Sequence, residues 1–476
     1  MIEKTFSQTE EVVSRQVILG SSRRPRKVVF VYCKGMVDLD RFNRDILGIL
    51  YEYFLQLDGC RLSAEQLEET LPIDLETTER LFDPLVPEIF RGHLVLLVDG
   101  IDVAYVANLS NPPNRQPEEP NTETSVRGPK DGFIEALETN VALIRKRLPT
   151  ETLCTESFTI GVRTQSKVSL LYIRDIIDPS VLTQIRDRIQ SIHVDAVYAS
   201  AQLEEFLSDS KFFIVPMFAY SGRPDFVVGA LLRGRFAIIL DGTPTAIMGP
   251  TNMSFLLQSA EDEYISYVFL MLQRGLRFFG FLITLLLPGL YVAICTYHQE
   301  QIPLALLSTL ATSRRGTPLP TSCEALLMLL MFELFREAGN RLPSKLGQTL
   351  TVVGGLVIGE SAISAGMTSP TLLVVTATAA VASFTIPNQS LAGIIILFRF
   401  FILIVSSILG EFGFLISSFA VLVYLSTVRS FGIPYLTPFS PFHARDLSYT
   451  FNSVTAHQGR KRPIILRTKD QTRNEG

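Results

Sequence analysis

Between Leu346 and Phe398 the chain carries a single charged side chain, Glu360. It sits in GQTLTVVGGLVIGESAISAG (Gly347 to Gly366), a stretch apolar enough to enter a bilayer but lined on one side by Gly, Ser and Thr. A carboxylate in such a segment is expensive to hold and so marks a functional position. Repeated once per copy in an assembly, Glu360 would form a ring of carboxylates, a common means of cation selection. Thr351, Ser361 and Ser364 would supply hydroxyls along that path, with Gly355 and Gly359 beside them. The structural alternative is a packed helix whose Glu360 is protonated or paired. Gly355 with Gly359, then Ala362 with Gly366, form small-xxx-small pairs that let helix backbones approach closely in lipid. Glu324, Glu333, Arg399 and Glu411 are secondary charges of the same half. Arg399 and Glu411 are 12 positions apart, about 18 Å along a helix. They cannot pair with each other on one helix, and each must snorkel or find a partner elsewhere.

Enzyme chemistry has no matching constellation. The chain lacks a Gly-rich phosphate loop, a GxSxG elbow and an HExxH pair, and its five histidines are scattered. The five cysteines, Cys33, Cys60, Cys154, Cys295 and Cys323, show no CxxC or metal-ligand spacing. No catalytic residue, metal or cofactor is therefore assigned. A net charge of −4 over 476 residues does not suggest nucleic acid.

Two unlike halves must position these residues. The first is rich in Asp, Glu, Lys and Arg; the second, Phe278 to Val428, is mostly apolar. The N-terminus has no apolar run of a signal peptide, so the charged half is expected on the cytoplasmic side. It contains an internal echo. Val28 to Phe42 and Val168 to Leu182 share a layout of strand, turn and helix start, with Tyr32 matching Tyr172 and Asp38 matching Asp178. Each aspartate precedes an amphipathic helix and is expected to cap it. GHLVLLVDGIDVA (Gly92 to Ala104) and GRFAIILDGTPTA (Gly234 to Ala246) repeat in the same order, and both Asp-Gly pairs predict hairpin tips. The matched offsets argue for duplication. The expected organisation is a polar, helical lead-in over 1–24, an α/β subdomain over 25–110 and a Pro-rich linker and helix over 111–157. A second related α/β subdomain over 158–250 follows, then a helical multi-pass membrane domain over 251–440 and a basic cytoplasmic tail over 441–476. The linker helix, Phe133 to Leu148, ends in Arg145, Lys146 and Arg147, expected to be solvated, the alternative being a face for anionic lipid or an acidic partner.

In the apolar half, Phe278 to Gln299 gives 22 residues without Lys, Arg, Asp or Glu, enough for one span. Arg274 and Arg277 put its start on the cytoplasmic side. The segment with Arg314 and Arg315 reads as interfacial or re-entrant. Residues 361–398 are charge-free but broken by Pro370 and Pro387, and Leu391 to Val428 reads as a hairpin of two helices. A basic tail again suits the cytoplasm, so the number of spans is even, four or six.

Longer motifs carry a family resemblance across about Val28 to Leu447. They include EEPNTETSVRGPKDGFIEALETNVALIRKRL (Glu118 to Leu148), RPDFV (Arg223 to Val227), SAEDEY (Ser259 to Tyr264) and FELFREAGNRLP (Phe332 to Pro343). VGGLVIGESAISAG (Val353 to Gly366) and SFGIPYLTPFSP (Ser430 to Pro441) complete the set. In these motifs the chain resembles the A subunits of GerA-type spore germinant receptors. It departs from their pattern at Ser221-Gly222 and at Gln299. The resemblance implies a protein of the inner spore membrane acting with a transporter-like B subunit and a lipoprotein C subunit. It further implies a homo-oligomer forming a nutrient-gated channel for monovalent cations. Arg127, Gly128 and Pro129 would then be either an ordered turn or a contact with the neighbouring subunit. A secondary transporter is disfavoured, since no inverted repeat is visible. A non-conducting scaffold for the B and C subunits, or a paralogous accessory channel, stays open.

Overall fold

Residues 9–19, 25–56, 75–79, 82–99, 101, 103–111, 127–208, 214–341, 359–444, 446–447 and 462–472 are described by the computed structural model. Gly100, Thr351, Gly355, Arg460 and Lys461 lie outside them. The chain forms two units, one of residues 1–211, 217–251 and 457–476, the other of 212–216 and 252–456.

In the first unit, alternating side chains build two five-stranded antiparallel sheets. The first contains β1 (Val12–Leu19), β2 (Arg26–Cys33), β3 (Leu75–Glu79), β4 (His93–Val98) and β5 (Val103–Asn108), in the order β1-β2-β4-β5-β3. The second contains β6 (Leu153–Ile160), β7 (Ser166–Ile173), β8 (Ala219–Ser221), β9 (Phe236–Leu240) and β10 (Ala246–Gly249), in the order β6-β7-β9-β10-β8. Numbered from its first strand, the second sheet repeats the order of the first. Period-two alternation divides the first sheet's side chains between two cores. Val28, Phe30, Leu94 and Leu96 pack with Phe42, Ile46 and Leu50 on one face. Val31, Cys33 and Val95 pack on the other with Phe90 and Ile89 of α2 (Phe82–Phe90) and with Ala142.

The capping aspartates behave as their spacing predicts. Asp38 accepts from the N–H groups of Asp40 and Arg41 at the entry to a helical run that ends in α1 (Gly48–Gln56). Asp178 accepts from Ser180 at the start of α4 (Pro179–Gln190). Gly92 and Gly234 both have φ near +90°, +94° and +93°, where an L side chain is strained. Asp99 and Asp241 lie in the turns that join β4 to β5 and β9 to β10.

Several expectations need correction. The lead-in is not helical: Val12–Leu19 is a strand paired antiparallel to β2 with Val12 opposite Cys33. Its β-branched residues gain a full backbone ladder there, which a solvated helix could not match. The second sheet begins at Leu153, ahead of 158. The linker helix starts at Leu137, as α3 (Leu137–Arg147). Just before it, the buried Asn140 carboxamide pairs with both backbone groups of Ile134, accepting from its N–H at 2.8 Å and donating to its carbonyl. Those bonds hold the backbone at Ile134 outside the helix. Arg145 is not solvated but 1 % exposed, donating to Glu11 at 3.0 Å and to the carbonyls of Thr150 and Leu153, above the Phe90 ring. Residues 462–472 of the tail pack within the first unit. Arg462 bonds Asp470 and the Leu232 carbonyl, Lys469 N–H bonds the Ile176 carbonyl, and Leu466 is buried.

The second unit is helical. Beyond α5 (Ser200–Leu207) and α6 (Pro224–Leu232) of the first unit come α7 (Tyr267–Tyr297), α8 (Leu304–Ser313), α9 (Thr321–Arg341), α10 (Pro370–Ser383) and α11 (Gln389–Thr427). Two of them, α7 and α11, are long and apolar enough to cross a membrane. Close packing of α7 rests on small residues. A side chain at Gly289 would meet Ile402 at 2.8 Å, and one at Gly280 has no room beside Thr385. Thr284 between them donates to the Gly280 and Ala379 carbonyls. α11 folds back on itself: Phe398 and Tyr424 stack edge-on with centroids 5.8 Å apart, where 26 residues of straight helix would span about 39 Å. The hinge is Gly410, at φ 65° and ψ −141°. Pro370 opens α10 rather than interrupting a helix, because its missing N–H is not needed in a first turn.

Candidate functional site

Of the proposed path, residues 359–364 are helical and described. Gly359 and Ala362, three apart, face inward, and a side chain at Gly359 would touch Leu373 of α10 at 3.2 Å. Glu360, Ser361 and Ser364 are exposed. One side of this turn of helix therefore packs while the other carries a carboxylate and two hydroxyls. Gly366 is not a helix-packing residue. At φ +69° it ends the helix, with Met367 N–H reaching back to the Ala362 carbonyl at 2.8 Å, as in a Schellman cap.

The secondary charges are bound within the chain. Glu324, fully buried, accepts from the Ser369 N–H at 3.1 Å, just ahead of α10, and lies 3.4 Å from the Arg314 guanidinium. Glu333 pairs with Arg336 at 2.9 Å and with Arg399, which is 1 % exposed. Glu411 accepts from Gln301 Nε2 at 2.6 Å. Apart from Arg336, three residues beyond Glu333 on the same helix, these partners come from other helices or loops, where sequence spacing could not find them. Glu360, by contrast, makes no ion pair or side-chain hydrogen bond among the described residues.

Sequence reasoning missed the cluster at the foot of α7. Asp262, 2 % exposed, receives Arg274 at 3.1 Å and Arg277 at 2.8 and 3.0 Å. The two arginines read as topology signals thus share one buried carboxylate. The SAEDEY motif contained the signal, an acidic turn twelve residues before Arg274. RPDFV likewise encloses a buried pair, Arg223 with Asp225, at 3.1 and 2.6 Å. In the first unit, Tyr172 donates to Glu156 while Arg186 bonds both. Burial pushes the Tyr172 phenol well above its ordinary range, and the bond to Glu156 adds to the shift. Cys33 is pushed up to about 12 by burial, partly offset by Arg145, so its thiol stays protonated. Arg127 is exposed, and Gly128 and Pro129 are half-buried. Among the described residues no three His, Cys, Asp or Glu side chains gather as metal ligands do.

A unit of paired α/β sheets joined to a unit with two membrane-length apolar helices, packed by small residues and internal ion pairs, is the build of a membrane-associated protein with a large polar portion. The sequence profile described as Bacillus/Clostridium GerA spore germination protein matches residues 1–465. This chain belongs to the GerA family. It is 39% identical over 450 residues to spore germination protein XA of Bacillus anthracis, covering 94% of this chain and 91% of that one. It is 34% identical to spore germination protein KA of Bacillus subtilis (strain 168), over 99% and 86% of the two chains. Among solved structures, the N-terminal domain of the A subunit of the Bacillus megaterium spore germinant receptor GerK3 aligns with 27% identity and a TM-score of 0.40. That alignment covers 52% of this chain and 91% of that domain.

Proposed function

We propose that this chain is the A subunit of a nutrient germinant receptor in the inner spore membrane. Copies of it assemble around a path for monovalent cations lined by Glu360, Ser361 and Ser364. Its partners are a transporter-like B subunit and a lipoprotein C subunit. The observation that carries the reading is the contrast among its acidic residues. Glu324, Glu333 and Glu411 each have a partner inside the chain, whereas Glu360 is exposed and unpaired among the described residues. A carboxylate in an apolar segment needs water or a charge partner. A shared wet axis between copies would supply it, with Gly359 and Ala362 packed the other way.

The direction of the helices supports an even number of crossings, four or six, with both ends on the cytoplasmic side. α7 and the first arm of α11 run parallel, with Gly289 beside Ile402 and Tyr297 beside Ser407. α10 runs opposite to α7, with Thr284 beside Ala379 and Tyr291 beside Thr371. α10, at 14 residues, is about 21 Å long and shorter than the roughly 30 Å hydrocarbon core. The buried Thr368 and Ser369 at its start are enclosed by protein, the setting in which irregular backbone is tolerated at depth.

The test is conductance of the purified full chain in a planar bilayer. Wild type is expected to pass potassium and sodium over chloride. Glu360→Gln is expected to lower cation selectivity at least several-fold, since one charge at 4 Å is worth about 1 kcal/mol even in bulk water. A conducting assembly whose selectivity ignores Glu360→Gln removes that residue from the path. A wild-type chain that never conducts leaves the scaffold reading.

A further inference from the structure

The two sheets are closed at one matching place by chain of different origin. In the first, Ser110 and Asn111 follow directly on β5. Asn111 N–H donates to the Met36 carbonyl at 2.9 Å, and a side chain at Gly92 would meet the Ser110 hydroxyl at 3.0 Å. Counted from the matched Ala104 and Ala246, the second-sheet counterparts of Ser110 and Asn111 are Asn252 and Met253. Those residues belong to the second unit, where the Met253 N–H bonds the Tyr435 carbonyl. The tail takes their place. Lys469 N–H donates to the carbonyl of Ile176, the counterpart of Met36, at 3.0 Å. The Thr468 methyl group fills the space beside Gly234, where a Cβ would collide with it. Thr468 and Leu466 are both buried. The tail also closes on itself: Arg462 N–H donates to the Gln471 carbonyl at 2.8 Å, and its guanidinium to the Asp470 carboxylate at 2.5 Å. A loop tied at its own ends loses little freedom on docking.

We propose that the second sheet presents a peptide-binding slot whose resident ligand is this tail, residues 462–472, docked as an exchangeable unit. The slot recognises a threonine whose methyl group fits against Gly234 and whose successor donates its backbone N–H to Ile176, with Leu466 as the buried anchor. Arg462 adds a bond to the Leu232 carbonyl at 2.9 Å. Main-chain bonds of this kind give affinity, and the side-chain fits give specificity. In the first sheet the same contacts come from the continuation of β5 and cannot leave. In the second, the tail is joined to the sheet only by way of the second unit. The end of β10 and the tail therefore tie that unit's chain to one sheet at both of its ends, and exchange of the tail frees one tie.

The experiment is peptide exchange on the full chain in maltoside micelles. A protease site placed within residues 448–461 lets the folded chain be cut once, after which only the slot holds the tail. A fluorescent peptide of residues 462–472 is titrated into cut and uncut chain and followed by anisotropy. Saturable uptake of one peptide per cut chain is expected, with uptake by the uncut chain, whose slot is filled, at least about tenfold weaker. On the peptide, Lys469→Gln keeps the backbone N–H and should bind as the parent peptide does. Lys469→Pro removes that N–H and should bind at least about tenfold more weakly, as should Leu466→Asp. These changes leave the chain itself untouched, so its folding is not in question. Equal uptake by cut and uncut chain, no uptake by the cut chain at peptide excess, or Lys469→Pro binding like the parent peptide overturns the proposal.

Discussion

Gly410 decides whether α11 is one rod or two arms, and the cost of replacing it can be worked from two separate terms. At φ 65° and ψ −141° the residue sits in backbone space that is nearly exclusive to glycine, so Gly410→Ala carries about 1–3 kcal/mol of strain. The new Cβ would also lie 3.0 Å from both Cβ and Cγ of Tyr297. That is inside the optimum of about 3.5–4.0 Å, and such overpacking costs about 1–3 kcal/mol more. The expected loss is therefore about 2–6 kcal/mol, read from unfolding of the purified chain by SDS titration in mixed micelles. A double-mutant cycle separates the terms. Tyr297→Gly removes both crowding atoms, at the expense of the Tyr297 hydroxyl bond to the Ser407 carbonyl at 2.8 Å, but leaves the strain. The cycle should show about 1–3 kcal/mol of coupling. A direct readout of the fold accompanies it. Cysteines placed at Phe398 and Tyr424, whose rings lie 5.8 Å apart, should crosslink in the parent chain and poorly with Gly410→Ala. Unfolding within about 0.5 kcal/mol of the parent, the usual range of an inconsequential substitution, would refute the hinge.

Two further outcomes follow from buried charge. Burial in α5 raises the Glu204 carboxyl from 4.5 to about 7, so the folded state holds a proton that the unfolded chain releases. Its penalty is absent below pH 4.5, grows as the pH rises through 7, and amounts to at most about 3 kcal/mol above that. Glu204→Gln should therefore melt with the parent near pH 4.5 and above it at pH 8; melting curves that coincide at both values refute this. In the second unit, Glu333→Gln strands the buried Arg399 and should cost about 3–5 kcal/mol. Arg399→Met should cost much less, since Glu333 keeps Arg336 at 2.9 Å. SDS unfolding that gives the reverse ranking would show that Arg399 is not held by Glu333.

What was legible in the sequence was local chemistry. Asp38 and Asp178 announce helix starts because the cap contacts residues only two or three positions on. The Asp-Gly turns announce hairpins for the same reason, and the length of the apolar run Leu391 to Val428 implied a turn somewhere within it. The position of that turn at Gly410 was hidden, since Gly393 and Gly413 are equally plausible by composition. Three basic residues at the end of α3 look solvated in sequence. Only the fold brings Glu11, from ahead of β1, to Arg145 across 134 positions. The tail's contacts with Ile176 and Leu232 were hidden likewise, because they join chain segments more than 200 positions apart. Of the small-residue stretch only residues 359–364 are described as helix, and the closest described helix packing falls on Gly280, Thr284 and Gly289 of α7.

The charges of the apolar unit can be sorted by what each would cost if left alone. A buried ion stripped of its partner costs about 3–5 kcal/mol, and the chain avoids that at Asp262, Glu324, Glu333 and Arg399 by drawing partners from other elements. Among the described residues Glu360 makes no such pair, and it projects beside Ser361 and Ser364 on the face opposite Gly359 and Ala362. Lipid is the poorest surrounding for that face, as it provides neither hydrogen bonds nor counter-charge. A second chain packed by apolar contact alone would be no better. The arrangement makes physical sense where the face meets water in the company of cations. Several copies turned towards a common axis provide that, and a single copy surrounded by lipid does not.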